Sequence, residues 1–290
     1  MSKVVSDGGR SKTSVRVTKV RGRDTVRRSD VVAAEEPMEI RVGTWSQPPV
    51  AVAVTMRTPG YDFELAAGFL FTEGIIGPGD IERVSYCDSL ETDQDFNVVT
   101  VRTNRPIEES SIAHRNFYAT SSCGVCGKAS LDEIEVRCAP LADGPVVASS
   151  TIVGLPDRLR EKQRVFEQTG GLHAAGLFSC NGDLVAVRED VGRHNAVDKI
   201  VGRSLLSTEI PLNDAVLMVS GRTSFEIVQK AAVAGIPIVC AVSAPSSLAV
   251  DAAESLGMTL VGFVRDDSFN VYTHPERIDT SSGDNASSIK

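Results

Sequence analysis

Four short apolar runs in the second half of the chain leave few folds open to it: Leu184-Val185-Ala186-Val187, Ala215-Val216-Leu217-Met218-Val219, Ile236 to Val242 and Met258 to Val264. Each is too short for a core helix and long enough for a buried strand. Between them, Ala196, Val197, Ile200, Val201 and Leu205 fall on one helical face, and further helices are expected from about Ser224 to Ala234 and from about Ser246 to Leu256. Strands alternating with helices at this spacing specify βαβ units, because a crossover helix must carry the chain back before the next parallel strand begins. The expected fold class is therefore α/β with a largely parallel sheet.

The first half reads differently. After Glu39-Ile40-Arg41-Val42, the run Val50 to Met56 is β-prone, and Thr58-Pro59 then supplies a helix cap and a first-turn proline. Phe63, Ala66, Ala67, Leu70 and Phe71 follow as one apolar stripe ending near Gly74. Val84 to Thr103 is strand-like around a polar turn. Residues 31–120 thus form a smaller α+β part ahead of a body at 129–278, with 121–128 as a loop between them. Residues 1–30 hold nine Lys or Arg against three Asp or Glu and few apolar groups, so they are expected to be disordered, as is the Ser- and Asp-rich stretch 279–290. The whole chain carries a formal charge of −8, which makes the body acidic and argues against nucleic acid as a partner. No apolar run approaches the roughly 20 residues of a membrane helix, and the N-terminal segment lacks the apolar stretch of a secretory signal, so a cytoplasmic protein is expected.

Of six cysteines, Cys87, Cys138, Cys180 and Cys240 stand alone and read as buried thiols. Cys123 and Cys126 form a motif, Ser121-Ser122-Cys123-Gly124-Val125-Cys126-Gly127-Lys128, whose glycines indicate an exposed loop. A structural zinc needs about four ligands, and no partner motif supplies the other two, so no tightly bound metal is expected. A thioredoxin-type centre would place the pair between an early strand and a helix in a small domain; the mid-chain glycine loop weakens that reading and leaves it open. A nucleobase deaminase would need H-x-E ahead of P-C-x-x-C, and the chain has His114-Arg115-Asn116 and Ser122 there. Sulfur transfer fits the local chemistry: the loop gives reach, Lys128 lowers the thiol pKa, and a second thiol three residues on assists release.

In an open α/β sheet, ligands sit beyond the carboxyl ends of the strands. The segments expected there are Arg188 to Asn195, Ser220-Gly221-Arg222-Thr223-Ser224, Ser243 to Ser247 and Arg265-Asp266-Asp267-Ser268. Taken singly, such residues also serve as caps and loop braces. Taken together, Arg193, Arg222 and the helix starts favour a phosphorylated ligand. Neither a P-loop nor GxGxxG is present, so ATP and NAD are not indicated. His194 is a candidate proton shuttle or ligand-orienting group, and His173 is positioned to face the same cleft. His114 and His274 have no such context.

Several motifs in order, Thr58 to Gly74, Ser121 to Gly127, Glu189 to Lys199, Ser220 to Glu226 and Asn270-Val271-Tyr272-Thr273-His274-Pro275, resemble the FdhD family of formate dehydrogenase accessory sulfurtransferases over about residues 36–278. The resemblance implies a sulfur carrier that receives persulfide sulfur from a cysteine desulfurase. It would pass that sulfur to the molybdenum bis(molybdopterin guanine dinucleotide) cofactor, held as a bound substrate, for formate dehydrogenase. Cys123 matches the persulfide-bearing cysteine and Cys126 the second cysteine of the pair. Phe263, Val264, Arg265, Asp266, Asp267 and Ser268 occupy the place of the cofactor-binding stretch, which often carries glycine in relatives and has none here. Arg193, His194 and Arg222 would add contacts to the same ligand. The resemblance also implies a cytidine-deaminase-like α/β/α body and a homodimer. A thiol–disulfide oxidoreductase and a non-catalytic cofactor or apoenzyme chaperone are the alternatives; sulfur transfer coupled to cofactor binding separates them.

Overall fold

The computed structural model describes residues 11–86, 96–107, 140–141 and 144–281. Its first element corrects the expectation for the N-terminus. Strands β1 (Lys12–Arg21) and β2 (Asp24–Ala33) pair antiparallel from Lys12↔Ala33 to Arg21↔Asp24. Charge alone points to disorder, but Val15, Val17, Val20, Val26, Val31 and Val32 carry the β-branched side chains that favour strands. Gly22 opens the two-residue turn at φ +62°, a conformation that glycine adopts without strain. Lys12 Nζ donates to Gln168 Oε1, and the Ala34 amide donates to Ser11 O at 2.9 Å, so the ribbon is tied to the body at its open end. Residues 1–10 and 282–290 lie outside the described residues.

A four-stranded sheet follows, built from β3 (Glu36–Gly43), β4 (Val50–Arg57), β5 (Ile81–Tyr86) and β6 (Val98–Thr103) in the order β4-β3-β6-β5. Helix α1 (Asp62–Thr72) leaves β4 through a turn held by a buried ion pair: Arg57 Nε and Nη2 donate to the two Asp62 carboxylate oxygens at 3.2 and 2.8 Å. After the short strand β7 (Val147–Ala148) come α2 (Ser149–Arg160) and α3 (Arg164–Thr169). The rest of the chain contributes β8 (His173–Ser179), β9 (Leu184–Asp190), α4 (Arg193–Leu206), β10 (Ala215–Val219), α5 (Phe225–Val233), β11 (Ile238–Ala241), α6 (Ser247–Ser255), β12 (Thr259–Arg265), β13 (Ser268–Thr273) and β14 (Ile278–Asp279), which pairs with β7.

The large sheet has the order β13-β12-β11-β10-β8-β9, and it is mixed rather than largely parallel. Only β10–β11 and β11–β12 pair parallel; β8–β9, β8–β10 and β12–β13 are antiparallel. The reason is connection length. Cys180 to Asp183 and Asp266-Asp267 are too short for a crossover and can only make hairpins. Because β8 is antiparallel to both β9 and β10, strands β9, β10, β11 and β12 still point the same way and end on one edge.

Alternation along each strand builds two faces. Val216 and Met218 pack with Ile152, Leu155 and Leu159 of α2, whereas Leu217 and Val219 join Ala196, Val197 and Ile200 of α4 in a core that also holds Ile227 of α5 and Ala249 of α6. The architecture is therefore α/β/α. The same core continues through α1 to Met38, Ile40, Val99 and Val101 of the small sheet. Helices α1 and α4 cross at Gly68 and Gly202, where a Cβ would lie 1.9 Å from Asp198 O or 1.8 Å from Glu64 O. Beside that crossing, Lys230 Nζ meets Asp198 Oδ1 at 2.9 Å and Thr72 Oγ1 at 2.9 Å. Burial alone would lower the Lys230 pKa, but Asp198 and Glu73 reverse this and push it up to about 12. Gly68→Ala forces the helices apart and should cost about 1–3 kcal/mol or more, read as a lowered thermal midpoint; an unchanged midpoint would contradict this backbone contact.

Candidate functional site

The carboxyl edge of the large sheet is built from one buried network outward. Asp190, the last residue of β9, is fully buried, and its Oδ2 lies 2.7 Å from Lys199 Nζ, itself 1% exposed. Asp190 Oδ1 accepts from the Gly192 amide at 2.8 Å and from Asn195 Nδ2 at 3.0 Å, and Oδ2 accepts from the Thr58 amide at 3.2 Å. Lys199 also donates to Thr58 O at 2.9 Å, and Asn195 to Met56 O at 2.8 Å. These bonds lock the start of α4 against the β4–α1 junction. No local signal marks the pairing, since Asp190 and Lys199 are nine positions apart and Thr58 follows the last residue of β4 in the other sheet.

From this base α4 projects Arg193 and His194. His194 Nε2 lies 3.0 Å from Ser224 Oγ and 2.8 Å from Glu226 Oε2, and Arg193 Nε donates to it at 3.3 Å. The hydrogen bond with His194 holds the Glu226 carboxyl below the ordinary carboxylate range, against the effect of burial. The first turn of α4 is thus fastened to the start of α5. Next along the edge, the loops after β10 and β11 pair through a Thr223↔Pro245 bridge, with Thr223 N donating to Ala244 O at 3.3 Å and Ser246 N to Thr223 O at 3.0 Å. Phe263 N donates to Ser243 O at 3.2 Å, which brings in the end of β12. The four segments picked out in the sequence are therefore joined into one continuous rim.

Within that rim the expected residues have unequal roles. Arg222 is exposed and free of hydrogen bonds and ion pairs among the described residues. Thr223 Oγ1 is buried and has no hydrogen-bond partner. Three helices, α4, α5 and α6, start here with Gly192, Ser224 and Ser246 as caps, so their free amides give the edge a positive potential. Phe263, at φ +55°, and Asp266, at φ +53°, take left-handed backbone angles unusual for these residue types. Arg265, Asp266, Asp267 and Ser268 form the exposed β12–β13 turn, and the Arg265 guanidinium lies 5.5 Å from the Phe263 ring centre. Val264, included among the expected ligand contacts, instead buries its side chain in the core beneath α2.

His173 heads β8 and reaches the same rim, as its sequence position suggested. Burial first, then the positive charge of Arg193 and His194, holds its pKa below the ordinary histidine value, so the ring is neutral at pH 7. His274 lies elsewhere, paired through Nδ1 with Glu276 Oε1 at 2.9 Å. Cys240 is buried in the core and Cys180 is half-buried in the β8–β9 turn. Cys87, His114, Cys123, Cys126 and Cys138 lie outside the described residues. Among the described residues no helix is long and apolar enough to cross a membrane.

The FdhD/NarQ family model matches residues 33–279. The sulfur carrier protein FdhD of Mycolicibacterium paratuberculosis is 51% identical over 269 residues, covering 91% of this chain and 97% of the relative. The protein of the same name from Streptomyces coelicolor is 51% identical over 277 residues, covering 93% and 96%. A crystal structure from Desulfotalea psychrophila, assigned as a formate dehydrogenase accessory protein, superposes with a TM-score of 0.71 at 27% identity over 93% of this chain and 100% of that one.

Proposed function

The chain belongs to the FdhD/NarQ family, and from that premise we propose that it is a sulfur carrier accessory to formate dehydrogenase. In this reading it takes a sulfane sulfur from the persulfide of a cysteine desulfurase and gives it to a molybdenum bis(molybdopterin guanine dinucleotide) cofactor bound as substrate. The observation that carries the reading is the continuous rim of strand-end loops, where Arg193, the unpaired Arg222 and three helix starts converge. Such an edge suits a ligand with several phosphates, because guanidinium forks and free amides both donate to anionic oxygen. Unpartnered Thr223 Oγ1 and exposed Ser268 add polar groups at the same place, so the residues present fit a dinucleotide.

The sulfur chemistry is assigned to Cys123 and Cys126. The Cys123 thiolate attacks the outer sulfur of the donor persulfide; the donor S–S bond breaks, a new S–S bond forms on Cys123, and the donor cysteine leaves as a thiolate that takes up a proton. For delivery, the Cys126 thiolate attacks Cys123 Sγ and expels the outer sulfur as sulfide, which becomes a ligand of the cofactor metal. The two thiols supply the two electrons and end as a disulfide, which a thiol reductant resets.

Two measurements test the reading. Incubation with a cysteine desulfurase and cysteine should add the mass of one sulfur atom to the intact chain, and a thiol should remove it; no gain would overturn the carrier function. GDP, as a surrogate for the dinucleotide, should bind to the rim. The double variant Arg193→Ala, Arg222→Ala should weaken GDP by about 10- to 100-fold, the size of one or two lost charge-assisted hydrogen bonds. Equal calorimetric affinity in both proteins would remove the ligand from this edge.

A further inference from the structure

The β1–β2 ribbon takes no part in the rim and is charged unlike the body it stands on: residues 11–33 hold seven Lys or Arg against two Asp. Its base is anchored, with β2 packed on α3 and Ala33 against Gly171, two positions before His173 of the rim. Beyond the base, every residue from Thr18 to Val32 is exposed. The ribbon is a sheet of its own, and neither outer edge is paired among the described residues. A lone two-stranded hairpin is marginal in water, because no third strand or core supports it. Strands of 10 residues also carry the tip about 33 Å from the base. That is several times the roughly 8 Å over which salt screens a charge, so the acidic body does not cancel the field of the arm.

The cross-strand register sorts the charges by face. Lys12, Ser14, Arg16, Thr18 and Val20 share one face with Thr25, Arg27, Ser29 and Val31, and no carboxylate lies on it. The opposite face holds Asp24 and Asp30 among its cations, with Arg28 Nη2 3.7 Å from Asp30 Oδ2. Arg16 stands opposite Ser29 and Arg27 opposite Thr18, so the two guanidinium groups are diagonal neighbours. Neither makes a hydrogen bond or ion pair among the described residues, and both border a groove of about 670 Å³ whose lining contains no carboxylate. Like charges this close repel, and an anion between them removes that cost.

We infer that an acidic, extended segment of a partner protein adds to an edge of this ribbon, with its carboxylates set on the Arg16–Arg27 face. A free strand edge offers N–H donors and C=O acceptors in alternation; a polypeptide answers both, whereas phosphate oxygen only accepts. Alternation then puts every second side chain of the incoming strand on the basic face. Val20 and Val31, 63% and 40% exposed at the two ends of that face, supply the apolar contacts that a phosphodiester chain would leave uncovered. The inference does not depend on the cofactor reading, and it seats the partner beside the rim.

The test follows the fluorescence anisotropy of a labelled peptide of alternating Glu and Val added to the full-length protein. A Lys and Val counterpart, a short DNA duplex and phosphatidylserine vesicles are run in parallel. The Glu and Val peptide should bind more tightly than the other three probes and weaken as salt is raised. Arg16→Ser with Arg27→Ser should weaken it about tenfold or more. Arg21→Ser with Arg23→Ser removes the same charge away from the basic face and should cost less. Proline at the centre of the peptide should also lower affinity, since it cannot donate to a strand edge. All four positions are exposed, so the thermal midpoint and GDP affinity of both variants should match wild type. No binding of the acidic peptide, equal loss in the two double variants, or indifference to proline overturns the inference. Tighter binding of the duplex or the vesicles gives the arm to nucleic acid or lipid and overturns it as well. Wild type that binds the peptide but not GDP defeats the cofactor reading alone.

Discussion

Replacing Cys123 by serine should abolish both sulfur loading and activation of formate dehydrogenase, while Cys126→Ser should still load sulfur and activate the enzyme poorly. The asymmetry follows from the proposed bond changes. Only a thiolate can take the outer sulfur from a persulfide, and a serine hydroxyl at position 123 has neither the acidity nor the nucleophilicity to do so. Serine at 126 leaves that first exchange intact and removes the internal thiol that expels sulfide. Sulfur then leaves only when an outside thiol attacks, so transfer slows although the loaded mass persists. Intact mass after desulfurase treatment and formate dehydrogenase activity in a reconstituted mixture read the two steps separately. Full activation by Cys123→Ser would favour a chaperone that holds cofactor or apoenzyme. Equal loss of loading in both variants would mean that the pair acts as one redox unit, as in a thiol–disulfide oxidoreductase.

Much of the carboxyl edge was legible in the sequence because strand-end loops are local. Ser220 to Ser224 and Ser243 to Ser247 lie where an apolar run stops and a helical stripe starts, and the fold places them side by side. The largely parallel sheet was misread for a related reason: apolar runs reveal strands but not their direction, and β8 and β13 reverse through turns of a few residues. The N-terminal ribbon was missed because net charge was weighed above the valines that alternate with arginine in Val15-Arg16-Val17. Val264 differs from its neighbours in the same stretch, since the side chains of a strand alternate between faces and this one points into the core. Least legible were the contacts between distant segments. Asp190 accepts from the Thr58 amide across 132 positions of sequence, and only the fold brings the two together.

Loss of the Asp190–Lys199 pair should be the most destabilising single change at the site, and the two halves of the pair should not be equivalent. Asp190→Ala leaves the Lys199 ammonium buried beside two carbonyls and strips the Thr58, Gly192 and Asn195 donors of their acceptor. Breaking a buried pair in this way costs about 3–5 kcal/mol, a large part of the roughly 5–15 kcal/mol by which a domain of ordinary size is stable. Lys199→Met removes the cation but leaves the Asp190 carboxylate with three N–H donors, so its cost should be smaller. Urea unfolding should show both midpoints lowered with little change in slope, Asp190→Ala further than Lys199→Met. The rim should suffer in the same order, because Asp190 sets the start of α4 and hence Arg193 and His194, and GDP affinity measured where both variants remain folded reports that displacement. A Lys199→Met protein less stable than Asp190→Ala would show that the ammonium, through Thr58 O and Glu189 O, holds the junction and that the carboxylate only neutralises it.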